Sequence, residues 1–101
     1  LYRTLQEAGA EVVVNGHDHN YERFAPQDWN GTAHPDGIRQ FVVGTGGRSH
    51  YPRATVQPNS EAWNETAYGV LSLALGDGWY RWRFVPAVAG AYSDSGSGDC
   101  H

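Results

Sequence analysis

The stretch of the sequence that decides the fold is Val12-Val13-Val14-Asn15-Gly16-His17-Asp18-His19, in which three valines run into a glycine and two histidines. A short apolar, β-branched run predicts a strand that is buried on both faces, as parallel strands of layered sheets are. Ligand sites in such sheets lie beyond the carboxyl ends of the strands, and Gly16 lets the chain turn there. In an extended loop the side chains of His17 and His19 would share one side and Asp18 would face the other. Because two neutral imidazoles suit Zn, Fe or Mn, His17 and His19 are candidate metal ligands.

The same residues carry a resemblance to a known family. Gly16-His17-Asp18-His19 resembles the Gly-His-x-His motif that closes the metal centre of calcineurin-like metallophosphoesterases. The extension Asn20-Tyr21-Glu22-Arg23 resembles the purple acid phosphatase branch, in which Tyr-Glu-Arg follows that motif. The resemblance covers nearly the whole chain and is weakest between residues 48 and 66. It extends to three further segments of secreted bacterial members, which correspond to residues 37–47, 82–86 and 94–98.

The resemblance implies an α/β fold class. The chain would be the C-terminal fragment of a four-layer α/β/β/α metallophosphoesterase sandwich, mostly β in this piece, with the end of one helix at its N-terminus. Residues 1–87 would form the C-terminal part of the catalytic domain, and residues 88–101 a flexible Gly/Ser-rich tail or linker. The family's other ligand motifs precede Gly-His-x-His, and this sequence has none of them in that place. We therefore expect the rest of a parent chain to be needed, and the isolated chain to be inactive and only marginally folded.

The function implied by the resemblance is a dinuclear-metal phosphoesterase, which hydrolyses small-molecule phosphate esters with a metal-activated hydroxide. By resemblance, His17 would bind a divalent metal and His19 the second metal, so that Fe is paired with Zn, Mn or Fe. Asp18 occupies the variable position of the motif and is not expected to be a ligand. Glu22 and Arg23 are expected to anchor the loop as an ion pair. A secreted or periplasmic location follows from the same resemblance.

Two other functions remain open. One is a β-rich binding or interaction module without catalysis, which the aromatic content of 13% and the incomplete metal site support. A metal requirement at His17 and His19 would distinguish the enzyme from such a module. The other is a nucleotidase or phosphodiesterase of the same superfamily, because the sequence does not separate monoester from diester substrates.

Composition limits the partners. The 101 residues are enough for one small domain, and the formal net charge is −4 with seven arginines and no lysine. This balance provides no basic patch for nucleic acid and no polybasic membrane signal. No apolar run approaches the length of about 18 residues that a membrane span needs. Cys100 is the single cysteine, and the sequence leaves open whether it pairs with another chain segment or is free.

The spacing of hydrophobic residues and the positions of turn-forming residues predict the remaining secondary-structure elements. Gly44-Thr45-Gly46-Gly47 predicts a turn that allows the backbone to approach the metal loop closely. Arg48 and His50, which follow it, are candidates to meet a phosphate. The other predicted elements are a helix at Leu1–Ala8 that ends at Gly9, strands at Glu11–Val14 and Ile38–Val43, a loop at Ala25–Gly37, and an irregular segment at Arg48–Thr66.

A β-hairpin is predicted over residues 67–75 and 80–85. Leucines alternate with small residues on the first arm, and aromatic residues alternate with arginines on the second. If both apolar faces share one buried side, Leu73 lies opposite Trp82. The same register places Leu75 opposite Tyr80, and Leu71 opposite Phe84.

Overall fold

The computed structural model of the chain describes residues 1–50 and 55–101. Within these residues the chain is mostly β, with two sheets and one short helix. Four residues of the predicted irregular segment, 51–54, lie outside the described residues. The elements are α1 (Tyr2–Glu7), β1 (Val12–Asn15), β2 (Tyr21–Phe24), β3 (Arg39–Val43), β4 (Ser60–Asn64), β5 (Gly69–Gly76), β6 (Trp79–Pro86) and β7 (Ser95–Asp99).

The first sheet has four strands in the order β1-β3-β2-β4. The two strands predicted at the valine run and before Gly44 are confirmed as β1 and β3, and they pair in parallel, with Val14 opposite Phe41. The expectation that the valine strand is buried on both faces is wrong for this chain, because Val14 is 47% exposed. Within the described residues, β1 is an edge strand that pairs only with β3, and the neighbouring helix α1 has no buried residue.

Two strands of this sheet were not predicted. β2 follows the histidines directly, and β4 lies inside the segment that sequence analysis treated as irregular. β2 is antiparallel to both β3 and β4, with Glu22 opposite Trp63 of β4. The polar sequence of β4 has no apolar alternation, so its strand conformation depends on the backbone hydrogen bonds that β2 supplies.

The helix α1 ends as its sequence predicts. Gly9 has a φ angle of 82°, the left-handed conformation that favours glycine at this position. The Gly9 amide donates to the carbonyl of Gln6, and the Ala10 amide to that of Leu5. None of the six helical residues is buried. In the described part of the chain, no helix has the length and hydrophobicity to cross a membrane.

The second sheet is an antiparallel meander, β5-β6-β7. The predicted hairpin register is confirmed, since Leu73 pairs with Trp82, Leu75 with Tyr80 and Leu71 with Phe84. Residues 95–99 were expected to belong to a flexible tail, whereas they form β7 and pair with β6. β7 fits there because its inward positions are glycines: a Cβ atom at Gly96 or Gly98 would overlap the ring of Trp82 or Tyr80.

One buried cluster is shared by the two sheets. The rings of Tyr21 and Phe84 lie 4.8 Å apart, and those of Phe41 and Trp82 lie 5.5 Å apart. Each of these pairs joins a strand of the first sheet to β6. The members of the cluster are Tyr21, Phe41, Ala67, Tyr80, Trp82 and Phe84. Burial of these aromatic surfaces is the main source of stability available to so small a chain.

Candidate functional site

The candidate metal ligands follow the carboxyl end of β1. Because β1 and β3 are parallel, the loop after β1 and the glycine-rich turn after β3 meet at one edge of the sheet. His17 and Asp18 are exposed, and His19 is half-buried. The loop is bent rather than extended, with His17 in the left-handed region at a φ of 83°. The premise that alternation along an extended loop brings His17 and His19 to one side is therefore wrong.

Gly44 brings the two loops into contact. A Cβ atom at this position would overlap the carbonyl oxygen of Asp18 and would lie 3.3 Å from the Cα of His19. The amide of Gly44 donates a 2.9 Å hydrogen bond to the carbonyl of Asn20. The predicted close approach of this turn to the histidine loop is thus confirmed. Glycine is required there because any side chain would push the loop away from the sheet.

The ring of His19 is fixed by the backbone. Its Nδ1 lies 2.7 Å from the carbonyl oxygen of Ser49. A carbonyl oxygen only accepts, so Nδ1 carries the proton, and in a neutral imidazole the lone pair is then on Nε2. Metal-binding histidines are commonly oriented in this way, with the second ring nitrogen donating to a carbonyl or carboxylate. Sequence reasoning missed Ser49, since a backbone carbonyl leaves no signature in residue type.

The residue after His19 adds a buried acceptor. Asn20 is only 6% exposed, and among the described residues no donor reaches its Oδ1 atom. Unsatisfied buried acceptors are rare and usually have a polar occupant nearby. Two imidazoles and this amide oxygen are donor types that Zn, Mn and Fe accept. Within residues 1–50 and 55–101, no group of three or more His, Cys, Asp or Glu side chains could hold a metal.

Arg48 and His50, the two residues proposed to bind a phosphate, follow the glycine-rich turn after β3 and differ in their surroundings. Arg48 is exposed. His50 is half-buried, its Nε2 lies 3.1 Å from the carbonyl of Ala67, and its ring lies 4.1 Å from that of Tyr68. Through these contacts His50 connects the turn after β3 to the residues that lead into β5.

Glu22 and Arg23 have separate partners. They are consecutive in β2, so their side chains lie on opposite faces of the strand. Glu22 is buried, and its carboxylate accepts a 2.6 Å hydrogen bond from the hydroxyl of Ser60. Arg23 forms ion pairs with Asp94, at 2.8 Å, and with Glu61. The expected ion pair between Glu22 and Arg23 is therefore wrong, because each residue contacts the partners above instead.

Asp94 belongs to the segment that the sequence predicts to be a flexible tail or linker. In the structure it lies between the two sheets. Its carboxylate accepts hydrogen bonds from the Tyr21 hydroxyl at 2.6 Å, from Arg23 at 2.8 Å and from the indole of Trp82 at 3.2 Å. Burial alone would raise the pKa of Asp94, but the hydrogen bonds from Arg23 and Tyr21 outweigh it and hold the pKa below its usual value. Burial and the hydrogen bond to Asp94 raise the pKa of Tyr21, which keeps that hydroxyl protonated.

Comparison with protein-family models, with curated protein sequences and with solved structures found no match to this chain.

Proposed function

We propose that this chain supplies the closing histidine pair of a dinuclear-metal phosphoesterase of the calcineurin-like, purple acid phosphatase-like type. The observation that carries the proposal is the loop of residues 16–20. It follows a parallel strand, it is packed against Gly44, and it holds the Nδ1 atom of His19 within hydrogen-bond distance of the carbonyl of Ser49. The same resemblance supports a secreted or periplasmic setting, with residues 1–87 as part of a larger four-layer catalytic domain.

The proposed ligands are His17 and His19. His19 binds through Nε2, because Nδ1 donates to Ser49 and cannot also face a metal. His17 is exposed at the tip of the bent loop, so its imidazole can turn toward a ligand. When bound, a pair of metals (Fe with Zn, Mn or Fe) supplies an activated hydroxide and neutralises the charge of a small-molecule phosphate ester.

The chain's own residues contribute position and rigidity to such a site. Gly44 holds the loop at the sheet edge by close contact with Asp18 and His19. Glu22 and Arg23 fix β2 just beyond the loop through Ser60 and Asp94. The remaining ligands come from segments that precede these residues in the family, so the parent chain is required for catalysis. Monoesters, diesters and nucleotides are all possible substrates of this arrangement.

The test uses the full-length parent chain with either His17→Ala or His19→Ala. We expect each variant to lose bound metal by elemental analysis and to lose about 100-fold or more of its phosphate-ester turnover, since removing one ligand weakens metal binding directly. His34→Ala is the matched control, because His34 is an exposed loop histidine whose Nδ1 accepts only from the Asp36 amide among the contacts described. Full activity and metal content in either ligand variant would show that the motif has been misread.

A second candidate function is a β-rich binding module without catalysis. The observation that favours it is the cavity beside β6, described below, which lies outside the histidine loop. The two candidates differ in their need for metal. Titration of the chain with Zn²⁺ should shift the imidazole resonances of His17 and His19 if they are ligands, and a binding module would leave those resonances unchanged up to the concentrations that shift His34.

A further inference from the structure

A cavity of about 380 Å³ lies between the end of β6 and the segment that leads into β7. This volume falls in the range of about 300–1,000 Å³ typical of small-molecule sites. Most of its lining is apolar. The lining residues are Arg83, Phe84, Val85, Pro86, Ala89, Gly90, Tyr92 and Ser93.

The walls of this cavity are held by contacts outside it. The ring of Tyr92 lies 5.7 Å from that of Phe84 and 5.9 Å from that of Tyr21, so the aromatic wall is part of the shared core. The opposite wall is a turn closed by a 3.1 Å hydrogen bond from the Ala91 amide to the Val88 carbonyl. The start of that turn is tied to the sheet, because the Ala87 amide donates to the carbonyl of Tyr68. The cavity is therefore largely preformed, which lowers the entropic cost of binding.

Among the described residues, Arg83 is the single charged residue of the lining. It stands on the exposed face of β6, between Ser72 of β5 and Ser95 of β7. Neither neighbour carries a charge, and no carboxylate within the described residues forms an ion pair with Arg83. A guanidinium beside an apolar recess is a ready partner for an anion, which it can bind through two parallel hydrogen bonds.

We propose that this cavity binds a small carboxylic acid with an apolar body, such as an arylalkyl or short aliphatic acid. The carboxylate pairs with Arg83, and the body packs on Phe84, Pro86 and Tyr92. One guanidinium matches one negative charge, and the described part of the lining has no second cation for a dianion such as a phosphate monoester. Ser93 also lines the cavity, and a serine hydroxyl can add a hydrogen bond to a carboxylate. This site does not involve His17 or His19, so a test of ligand binding here is independent of the metal proposal.

The test is a titration of the ¹⁵N-labelled chain with 4-phenylbutyrate, followed by amide chemical shifts. We expect the shifts to concentrate at residues 83–93. The neutral isostere 4-phenylbutyramide should bind about tenfold more weakly or worse, since it lacks the charge-assisted bond to Arg83. Acetate, which has the charge without the body, should cause no saturable shifts there. Equal affinity for the acid and the amide would overturn the proposal.

Two variants separate this site from general attraction of anions. Arg83→Ser should weaken 4-phenylbutyrate binding about tenfold or more. The matched control is Arg81→Ser: Arg81 lies two residues away on the same face of β6 and contacts the ring of Trp79, 5.1 Å from its centroid, rather than the cavity. Equal losses in the two variants would show a nonspecific electrostatic effect and overturn the proposal. Ala89→Leu, at an exposed lining position, should also weaken binding by filling the cavity without changing its charge.

Discussion

The hydroxyl of Tyr21 donates a 2.6 Å hydrogen bond to the carboxylate of Asp94, and the bond joins two residues separated by 73 positions in the chain. Tyr21 lies in β2 of the first sheet, and Asp94 directly precedes β7 of the second. Arg23 reaches the same carboxylate while its guanidinium lies 5.1 Å from the ring centroid of Trp82. This polar group thus ties the strand that follows the histidine loop to the second sheet.

The first prediction concerns pH. Because the pKa of Asp94 in the folded chain lies below its usual value of 3.8, its ionised form stabilises the fold at neutral pH. This contribution is present above the unfolded pKa and is lost as the pH falls through the folded pKa. We expect the free energy of unfolding of the wild type to fall steeply below about pH 4, and the slope to be smaller in Asp94→Asn.

Urea unfolding at a series of pH values measures this effect. At neutral pH Asp94→Asn should cost about 2 kcal/mol, because Arg23 loses a charged partner at a site where its side chain is only 14% exposed. Asp36→Asn, at an exposed loop position, is the control and should change the free energy of unfolding by less than about 0.5 kcal/mol. A pH slope in Asp94→Asn as steep as that of the wild type would contradict the prediction.

The second prediction concerns the contact between the two loops. Gly44→Ala should lower the free energy of unfolding by about 1–3 kcal/mol, because its methyl group would overlap the carbonyl of Asp18 and the backbone cannot yield without moving the loop. The imidazole resonances of His17 and His19 should shift in the same variant. Gly46→Ala is the matched control, because a Cβ atom there has no heavy atom within 4 Å. If the two variants were equally stable, the close packing of the loops would be disproved.

The third prediction concerns β7. Gly96→Val should destabilise the chain by about 2 kcal/mol, since the added side chain would overlap the ring of Trp82. Ser97→Val places the same residue on the exposed face of the same strand, where valine suits a β conformation, and should change the free energy of unfolding by less than about 0.5 kcal/mol. Thermal and urea unfolding of the two variants compare them directly. Equal tolerance of valine at both positions would mean that β7 does not pack on β6 as described.

The sequence predicted those parts of the fold in which apolar residues alternate or cluster. The hairpin register followed from leucines and aromatic residues at every second position, and the approach of Gly44 to the histidine loop from a glycine-rich strand end. β4 and β7 were missed because their residues are polar or small and acquire strand conformation from their neighbours. The signal for β7 lay in the alternation of serine with Gly96 and Gly98, which places the glycines opposite Trp82 and Tyr80.

The candidate site, like the fold, could be predicted only in part from the sequence. His17 and His19 could be chosen from their motif, because imidazoles at a strand end carry recognisable chemistry. The bend of the loop and the acceptor for His19 could not be predicted, since both depend on where the backbone of Ser49 lies after folding. The position of Asp94 is likewise a property of the folded chain, in which it meets Arg23 from a distant strand.

The last prediction concerns the strained backbone of His17. Non-glycine residues in the left-handed region carry a cost of about 1 kcal/mol or more, and such strain is often found at functional positions. His17 has a φ of 83° and an exposed side chain, so His17→Gly would relieve strain and remove few contacts. We expect the free energy of unfolding to rise by about 1 kcal/mol in this variant. Zn²⁺ titration of the same protein should show weaker shifts at His19.

The control for this variant is His34→Gly. His34 is an exposed loop histidine outside the left-handed region, so glycine there adds conformational freedom to the unfolded chain and removes the hydrogen bond from the Asp36 amide, and it should lower the free energy of unfolding by about 0.5–1 kcal/mol. Opposite signs in the two variants, measured by urea unfolding, would establish the strain at His17. If His17→Gly were destabilised as much as His34→Gly, the bent loop would not store strain. Greater stability together with weaker zinc-induced shifts at His19 would mean that His17 lowers folding stability and contributes to zinc binding.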